Sequence, residues 1–388
     1  MAEGRVVITG KGVDRLRAGH PWVYRSDVKS ADATAGAVVR VLNEQGRFLG
    51  RAFYSDRSQI SVRLITHEDV PVDRAFLLER IRQAAKFREQ VVSNSNAYRI
   101  VYGEGDRVPA LIVDRYADCL VIQNLNQSTD RLKSLIVEIL VELFAPRGIL
   151  ERNDPKVRLL EGLPQSVSVL HGDVPDEVEI SQDGIRTICD LRHGQKTGAF
   201  LDQRENYQAA ASCASGEVLD CFSYQGGFAL ASARRARHVD AVDLSAPALT
   251  SARRNASLNS LSNISYHEAN SFDLLKQFDE ASHRFDTIIL DPPAFAKNKD
   301  SLAAAIRGYK EINLRALKLL RPGGYLVTCS CSHHLSEPFF LELLADAATD
   351  VHRTISVVDR RTQAKDHPIL LTVPETLYLK CFILRVLS

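Results

Sequence analysis

The stretch FDTIILDPPAF, residues 285–295, decides the fold of this chain. Its first six residues are mostly apolar, interrupted only by Asp286 and Thr287, which is typical of a strand that is covered on both faces of a parallel sheet. Pro292 and Pro293 cannot continue the hydrogen-bond ladder, so the strand stops abruptly. Asp291 is therefore expected at the edge of the sheet where open α/β folds bind their ligands. The plain alternative is a strand-to-loop stop without a function.

From about residue 200 onward, strand-like apolar segments alternate with helical patterns. The first predicted strand ends at Asp220, and the later ones cover 238–243, 264–267, 285–290, 325–328, 355–358 and 379–387. One predicted helix starts near Gly227, and two others cover 245–258 and 302–320. This alternation predicts an α/β domain with a doubly wound, mostly parallel sheet.

The first half of the chain has a different pattern. Short β-branched runs at 5–8, 37–42 and 60–65 predict a small all-β barrel or sandwich. A middle region is predicted as an α+β module, with a helix over 74–92, strands at 98–102, 110–113, 119–123, 148–152 and 178–180, and a helix capped by Asp130 that ends near 144. We therefore expect three regions: 1–70, 71–185 and 186–388.

Composition excludes several classes of protein. The 388 residues are 45% hydrophobic and 25% charged, which is typical of a soluble globular protein. No apolar run approaches the roughly 20 residues that a membrane span needs, and the first residues lack the apolar core of a secretory signal. The seven cysteines form no C-x-x-C pair. Reduced thiols and a cytoplasmic location are therefore expected.

Charge is balanced overall but uneven along the chain. The formal net charge is +1, whereas residues 1–65 hold eleven basic and six acidic side chains. Most of the basic residues are arginines, whose guanidinium groups suit phosphates and base edges. This segment is consistent with nucleic-acid binding, and equally with an ordinary solvated basic surface.

Polar residues and glycines follow the other predicted strands. The loop after Asp220 contains the pair Gly226-Gly227, which lets a ligand approach the backbone closely. Its spacing is neither the dinucleotide G-x-G-x-x-G nor a Walker loop, and it suits a nucleoside that carries an amino acid group. Asp243 ends the next strand, where an acid can bind ribose hydroxyls, and Asn270 follows the third, where an amide can contact adenine. The alternative for the loop is a glycine turn beside a core phenylalanine.

A cysteine-rich segment, CSCSHH at residues 329–334, follows the fifth strand. Zinc binding is one interpretation, but the spacing is poor for zinc ligands and no second pair lies nearby in the sequence. Cys329 is expected to be a buried, inert thiol. Cys331 is expected at the strand's end, in the mouth of the sheet.

Together these motifs resemble the class I S-adenosylmethionine-dependent methyltransferases, and more narrowly the bacterial large-subunit rRNA cytosine-C5 methyltransferases. The segment GQKTGAFLDQR, residues 194–204, is similar to the one that leads into the catalytic domain of that family. GHPWVY, residues 19–24, resembles the start of its N-terminal PUA domain, a small RNA-binding barrel. The resemblance implies a PUA-like barrel, a central α+β module and a Rossmann-like methyltransferase domain. It also implies an rRNA substrate and a homodimer.

The resemblance further implies specific site residues. Cys331 matches the nucleophile that adds to C6 of cytosine, and Asp291 matches the acid that contacts the base near N3. No metal is expected, and Ala294 stands where a two-cysteine mechanism would need its other thiol. S-adenosylmethionine is expected to be held by Phe200, Gln203, Arg204, Asp220, Phe222, Ser223, Gly226, Gly227, Asp243, Leu244, Ser245, Asn270, Ser271, Asp291 and Pro292.

Two other functions stay open from the sequence. An RNA guanine N-methyltransferase would share the Asp-Pro-Pro motif but would not need Cys331 as a nucleophile. A non-catalytic RNA-binding or ribosome-assembly protein would keep the fold without using the cofactor. A nicotinamide-dependent oxidoreductase is disfavoured because the dinucleotide glycine spacing is missing.

Overall fold

The computed structural model describes residues 4–295, 302–332 and 334–388. The chain divides into two compact units. The first contains 1–182, 189–201 and 365–376, and the second contains 183–188, 202–364 and 377–388. The three regions expected from the sequence, with boundaries at 70 and 185, stay a prediction.

The first unit begins with a six-stranded sheet. Its strands are β1 (Gly4–Ile8), β2 (Trp22–Tyr24), β3 (Val28–Asp32), β4 (Val38–Asn43), β5 (Phe48–Tyr54) and β6 (Ile60–Thr66), in the order β2-β6-β5-β4-β1-β3. Only β1 and β4 pair in parallel among these neighbours. Alternate residues such as Val6 and Ile8 are fully buried, which gives the sheet one apolar face.

A short helix in this region was not predicted. Residues 1–65 are expected to be all β, but α1 (Gly10–Arg17) follows β1 directly. The Thr9 hydroxyl caps it by accepting the amide of Gly12, and Val13 and Leu16 are buried. Two glycines inside eight residues weaken the helical pattern in the sequence, whereas packing of the apolar side stabilises it in the fold.

The first unit continues with a five-stranded sheet covered by helices. It contains α2 (Arg74–Val91), β7 (Ala97–Tyr102), β8 (Leu111–Tyr116), β9 (Cys119–Asn124), α3 (Gln127–Arg131), α4 (Lys133–Phe144), β10 (Gly148–Asn153), α5 (Val157–Leu160) and β11 (Ser166–Gly172). The order is β11-β10-β9-β8-β7. Leu77 and Ile81 of α2 pack in one core with Ile139 of α4 and Ile122 of β9.

The predicted capping role of Asp130 is wrong. The segment forms two helices, and the side chain of Asn126 caps the first one by accepting the amide of Thr129 at 2.8 Å. Asp130 lies inside α3 and accepts a hydrogen bond from the Arg158 guanidinium at 3.0 Å. A fully buried asparagine with a reciprocal threonine partner is the stronger helix start.

The division between the two units passes through the hairpin of β12 (Glu177–Gln182) and β13 (Ile185–Asp190). The second unit then alternates helix and strand. Its elements are α6 (Arg204–Cys213), β14 (Glu217–Cys221), α7 (Gly227–Ala233), β15 (His238–Asp243), α8 (Ala246–Leu258), β16 (Ile264–Glu268), α9 (Ser271–Glu280), β17 (Phe285–Leu290), α10 (Leu302–Leu319), β18 (Leu320–Ser330), α11 (Glu337–Asp350), β19 (Ile355–Arg361) and β20 (Lys380–Val386).

The sheet of the second unit has seven strands in the order β16-β15-β14-β17-β18-β20-β19. The first five run parallel, and β20 is antiparallel to both β18 and β19. This confirms the predicted doubly wound, mostly parallel sheet. The strand order reverses after β14, so β14 and β17 lie at the switch point where such sheets bind ligands.

Both faces of this sheet are covered, as the apolar strand at 285–290 predicts. Leu219, Ile288 and Leu290 share one core with α10 and α11, whereas Val218 and Ile289 share another with α6 and α7. Within the described ranges, no helix is long and apolar enough to cross a membrane.

Candidate functional site

The loop between β14 and α7 is shaped by left-handed backbone and local hydrogen bonds. Phe222 has a φ of +63° and Gly226 a φ of +88°, a region that favours glycine. The amide of Ser223 donates to the carbonyl of Val242 at 2.9 Å, and the amide of Gly226 donates to the carbonyl of Ser223 at 2.8 Å. The loop is thus held against the end of β15 and delivers Gly226 to the start of α7.

Gly227 is required by close packing. A Cβ atom at this position would lie 2.4 Å from Cζ of Tyr207, well inside contact distance. The Tyr207 ring also packs edge-on against Phe228, with ring centroids 4.7 Å apart. The glycine pair therefore serves two purposes: Gly226 turns the chain, and Gly227 admits an aromatic ring from α6.

Asp220 is a fully buried acid at the end of β14. Its Oδ2 accepts a hydrogen bond from the Ser223 hydroxyl at 2.7 Å. Burial raises the pKa of Asp220 to about 7, the charges of Asp291 and Asp243 contribute to this rise, and the hydroxyl of Ser223 only partly offsets it. Asp291 and Asp243 therefore lie close enough to Asp220, at this edge of the sheet, for their charges to raise its pKa.

The other oxygen of Asp220, Oδ1, is buried, and among the described residues no donor meets strict hydrogen-bond geometry at this atom. The backbone amide of Ala229 lies close enough to the carboxylate to act as a hydrogen-bond donor that lowers its pKa. A buried carboxylate oxygen without a donor is costly, so a ligand cation that donates to it is stabilising. The ammonium group of S-adenosylmethionine fits this oxygen and the adjacent glycine loop.

Asp243 ends β15 beside the glycine loop. Its Oδ2 accepts the amide of Tyr224 and its Oδ1 the amide of Ser245, both at 2.8 Å. These bonds fix the carboxylate and leave each oxygen further acceptor capacity for hydroxyl donors. Ser245 caps α8 through the amide of Ala248, and Leu244 between them is 67% exposed, an apolar side chain at the mouth of the sheet.

Asn270 and Ser271 lie where β16 leads into α9. The Asn270 side chain caps that helix by accepting the amide of Phe272 at 2.9 Å, and it is exposed. Ser271 is buried and its hydroxyl bonds to the thiol of Cys221 at the end of β14. The residues predicted for ribose and adenine thus follow neighbouring strands, β15 and β16.

The residues of segment 200–204 that were predicted to bind the cofactor do not lie at strand ends, and each makes contacts of its own. Gln203 is buried, accepts a hydrogen bond from Asn206 at 2.7 Å and bonds to the thiol of Cys329. Arg204 is buried at the start of α6 and lies 3.5 Å from the carboxylate of Glu205. Phe200 belongs to the first unit, where the Lys196 ammonium lies 4.8 Å from its ring centroid.

Asp291 and Cys331 follow two adjacent parallel strands. Leu290 of β17 pairs with Thr328 of β18, and β18 ends at Ser330. Asp291 and Cys331 are both partly exposed, and Pro292 between strand and loop is buried. The acid and the thiol are therefore presented at the same edge of the sheet.

Tyr309 of α10 connects the two loops that carry these residues. Its ring packs against Phe295, with centroids 4.7 Å apart, and Phe295 also packs against Phe222 of the glycine loop at 6.5 Å. The Tyr309 hydroxyl lies 3.0 Å from the hydroxyl of Ser332. A buried tyrosine thus ties the loop after Asp291 to the loop after Cys331.

The cysteine-rich segment does not resemble a zinc site in its described residues. Cys329 is buried and bonds to the thiol of Cys381 across β18 and β20, whereas Cys331 is partly exposed. His333 lies outside the described residues. In the part of the chain that the structure describes, the side chains close enough together to hold a metal ion are Glu217, Asp240 and His283.

Three residues near the site have no motif signal in the sequence. Tyr207 has its pKa raised well above the ordinary value by burial, and the nearby charges of Asp291, Asp202 and Asp220 add to this rise. Tyr309 joins the two loops, and Lys380 of β20 donates from Nζ to the carbonyl of Ser332 at 2.8 Å. The one feature that a reader of the sequence could have noted is the charge of Lys380 directly before the apolar run 381–384.

The sheet topology is that of a Rossmann-like methyltransferase domain, and the match to a family model places the chain in the class of S-adenosylmethionine-dependent methyltransferases. Residues 162–377 match the family model of the S-adenosylmethionine-dependent methyltransferases, and residues 6–67 match that of the PUA-like domain. The predicted α/β fold class with its PUA-like N-terminal domain, and the predicted dependence on S-adenosylmethionine, are confirmed.

Two relatives are similar to this chain over nearly its whole length. Ribosomal RNA large subunit methyltransferase I of Vibrio cholerae is 40% identical over 389 residues, with 97% of this chain and 98% of the relative covered. That of Shewanella denitrificans is 41% identical over 382 residues, with 96% of each covered. The chain belongs to the S-adenosylmethionine-dependent methyltransferases and, within them, to the family of ribosomal RNA large subunit methyltransferase I.

Solved structures share the fold along the full length. SMU.776, a methyltransferase solved in complex with SAH, superposes with a TM-score of 0.86 at 22% identity, covering 98% of this chain and 100% of that one. An S-adenosylmethionine-dependent methyltransferase from Streptococcus mutans gives 0.84 at 21% identity, covering 98% and 100%. At this identity the likeness concerns the fold alone.

Proposed function

We propose that this chain transfers a methyl group from S-adenosylmethionine to C5 of a cytosine in large-subunit rRNA, through a covalent adduct of Cys331. The names of its relatives support the rRNA substrate. The observation that carries the choice of cytosine C5 is a partly exposed thiol directly after β18, beside the strand β17 that leads to Asp291. A guanine N-methyltransferase has no need of such a thiol.

The chemistry explains why an acid and a thiol would be combined. C5 of cytosine is a poor nucleophile, and addition of the Cys331 thiolate at C6 gives C5 enamine character. Asp291 would hydrogen-bond the base near N3 and stabilise the charge that develops there. Bound S-adenosylmethionine would supply the methyl group. Loss of the C5 proton and expulsion of the Cys331 thiolate then restore the aromatic base and the free enzyme.

The cofactor would be held by the residues that follow β14, β15 and β16. Asp220 would accept the ammonium group at its buried Oδ1, which has no partner in strict hydrogen-bond geometry among the described residues, and the backbone of the loop at Gly226 and Gly227 would contact the amino acid end. Asp243, fixed by two backbone amides, would accept the ribose hydroxyls, and Asn270 would contact the adenine.

The target cytosine has to leave its base stack to reach Cys331. Unstacking costs roughly a few kcal/mol, so single-stranded loops of rRNA are the preferred substrates. Binding by the basic N-terminal region would offset this cost. Arg63 is not available for RNA because it forms a buried ion pair with Glu161 at 2.9 Å. The exposed basic residues in this region include Arg5, Lys11, Arg47 and Arg57.

The proposal is tested with labelled S-adenosylmethionine and rRNA from a strain that lacks the enzyme, followed by mapping of the modified base. We expect 5-methylcytosine. Cys331→Ala should lose methyl transfer but still bind S-adenosylmethionine by calorimetry, whereas Cys213→Ala, which removes another partly exposed thiol, should keep activity. Methylation of a guanine nitrogen, or full activity of Cys331→Ala, would favour the guanine enzyme. Failure of the chain to bind S-adenosylmethionine would favour a non-catalytic role.

The homodimer and the cytoplasmic location stay predictions that rest on the resemblance and, for the location, on the expected reduced thiols. None of the seven cysteines, all of which lie in the described ranges, is part of a disulfide.

A further inference from the structure

Lys380 is a buried cation next to the loop of the proposed nucleophile. It is only 5% exposed, at the start of β20. Its register partner on β18 is Ser330, and its Nζ donates to the carbonyl of Ser332 at 2.8 Å. The residues that Lys380 contacts therefore flank Cys331 on both sides.

The surroundings of Lys380 contain no carboxylate that neutralises it directly. In the described part of the chain its ammonium forms no ion pair with an acid, and burial lowers its pKa to about 8. The charges that oppose this fall are those of Cys331, the larger one, and of Glu337 at the start of α11. Glu337 lies 3.7 Å from the guanidinium of Arg360. Facing Cys331 from α10 is the hydroxyl of Tyr309, whose pKa is raised by burial and also by the charge of Cys331.

A buried ammonium without a counter-charge is costly, and an anion that forms beside it is stabilised. A thiolate next to a lysine is a standard way in which a cysteine becomes nucleophilic at neutral pH. We propose that Lys380 is a positioning residue for Cys331, which favours its thiolate through the buried ammonium and holds its loop through the carbonyl of Ser332. The inference deepens the proposed function and rests on it for the role of the thiolate.

The proton balance of this step is simple. The Cys331 thiol releases its proton to solvent, and Lys380 keeps its own proton and remains an ammonium. The site then holds a thiolate and an ammonium, in place of a neutral thiol and an ammonium that forms no ion pair with an acid of the described residues. Attack on C6 of the base places the electron pair of the sulfur in the new C–S bond, while the C5=C6 π bond breaks and its electrons move toward C5.

The test measures alkylation of Cys331 by iodoacetamide as a function of pH in the full chain, without RNA or S-adenosylmethionine. The Cys331 peptide is followed by mass spectrometry, and Cys213 in the same chain is the internal reference for reagent and accessibility. We compare the natural chain with Lys380→Met, which removes the charge, and Lys380→Arg, which keeps it. Calorimetric binding of S-adenosylmethionine confirms that each variant is folded.

We expect the apparent pKa of the Cys331 thiol to rise by about one unit or more in Lys380→Met, so that alkylation near pH 7 slows about tenfold. Lys380→Arg should retain most of the reactivity, and the rate at Cys213 should not change. An unchanged Cys331 profile in folded Lys380→Met would overturn the proposal. If Lys380→Met does not fold, the pH profile of the natural chain is the test. A Cys331 pKa at or above the roughly 8.5 of a free cysteine would then overturn the proposal.

The role of Lys380 and the proposed function can fail independently of each other. If Lys380→Met slows alkylation while Cys331→Ala still methylates RNA, the proposed function fails but the electrostatic pairing of Lys380 and Cys331 stands. If Cys331→Ala is inactive and alkylation does not depend on Lys380, the proposed function stands and the role of Lys380 is refuted.

Discussion

Replacement of Asp220 by asparagine should stabilise the free enzyme while impairing its cofactor site. Asp220 is fully buried, and its pKa of about 7 lies far above the ordinary value of 3.8. Each pH unit of this difference is worth about 1.4 kcal/mol, so keeping the carboxylate ionised in the folded state costs about 4 kcal/mol above pH 7. The asparagine side chain would keep an acceptor for the Ser223 hydroxyl without carrying a charge.

The sign of the pH dependence follows from the raised pKa. Between about pH 4 and pH 7 the folded chain holds a proton on Asp220 that the unfolded chain has lost, so the stability of the natural chain falls as the pH rises through this window. The asparagine of Asp220→Asn does not titrate, so the variant does not lose stability in this way. From pH 5 to pH 8, the stability of the variant relative to the natural chain should therefore increase by roughly 3 kcal/mol.

The assay is urea denaturation at both pH values, followed by far-ultraviolet circular dichroism. A constant cost of burying the asparagine amide cancels in the comparison, and Asp346→Asn on the exposed side of α11 controls for loss of a surface acid. S-adenosylmethionine should stabilise the natural chain but not Asp220→Asn. Equal stability differences at pH 5 and pH 8, or a variant that retains full cofactor affinity, would refute the reasoning on Asp220.

Three further predictions concern the packing of the site and the assembly. Gly227→Ala should destabilise the chain by about 1–3 kcal/mol and weaken S-adenosylmethionine binding, because the new methyl group displaces Tyr207; an unchanged melting temperature and affinity would contradict this. Tyr309→Phe keeps the packing on Phe295 but loses the hydroxyl contact with Ser332, so it should cost about 1 kcal/mol and lower kcat with cofactor affinity intact; wild-type kcat would show that the contact is dispensable. Light scattering should give twice the mass of one chain, and a monomer at all accessible concentrations would rule out the homodimer.

The alternation of strand and helix was readable from the sequence because the parallel sheet is buried on both faces. The predicted strands at 238–243 and 285–290 coincide with β15 and β17, and the helix predicted from 302 coincides with the start of α10. Elements stabilised mainly by tertiary contacts were missed. α1 contains two glycines, and the break between α3 and α4 follows from the buried cap at Asn126.

Only part of the candidate site could be predicted from the sequence, because some of its contacts depend on tertiary packing. Strand ends can be located from local pattern, which brings Asp220, Asp243 and Asp291 to one edge of the sheet. Lys380 contacts Ser332 across 48 positions of sequence, and no spacing rule connects them. The proximity of Tyr207 to Gly227 likewise depends on how α6 packs against α7. Such contacts require the antiparallel last strand and the helix packing to be known.

The most direct measurement of the central claim uses rRNA that carries 5-fluorocytosine at the mapped target position, incubated with the enzyme and S-adenosylmethionine. Fluorine at C5 cannot leave as a proton does, so the enzyme should remain bonded to C6 of the methylated base. The account predicts a stable protein–RNA adduct whose cross-linked peptide contains Cys331. An enzyme that methylates ordinary rRNA but yields no adduct, or an adduct at a different residue, would contradict it.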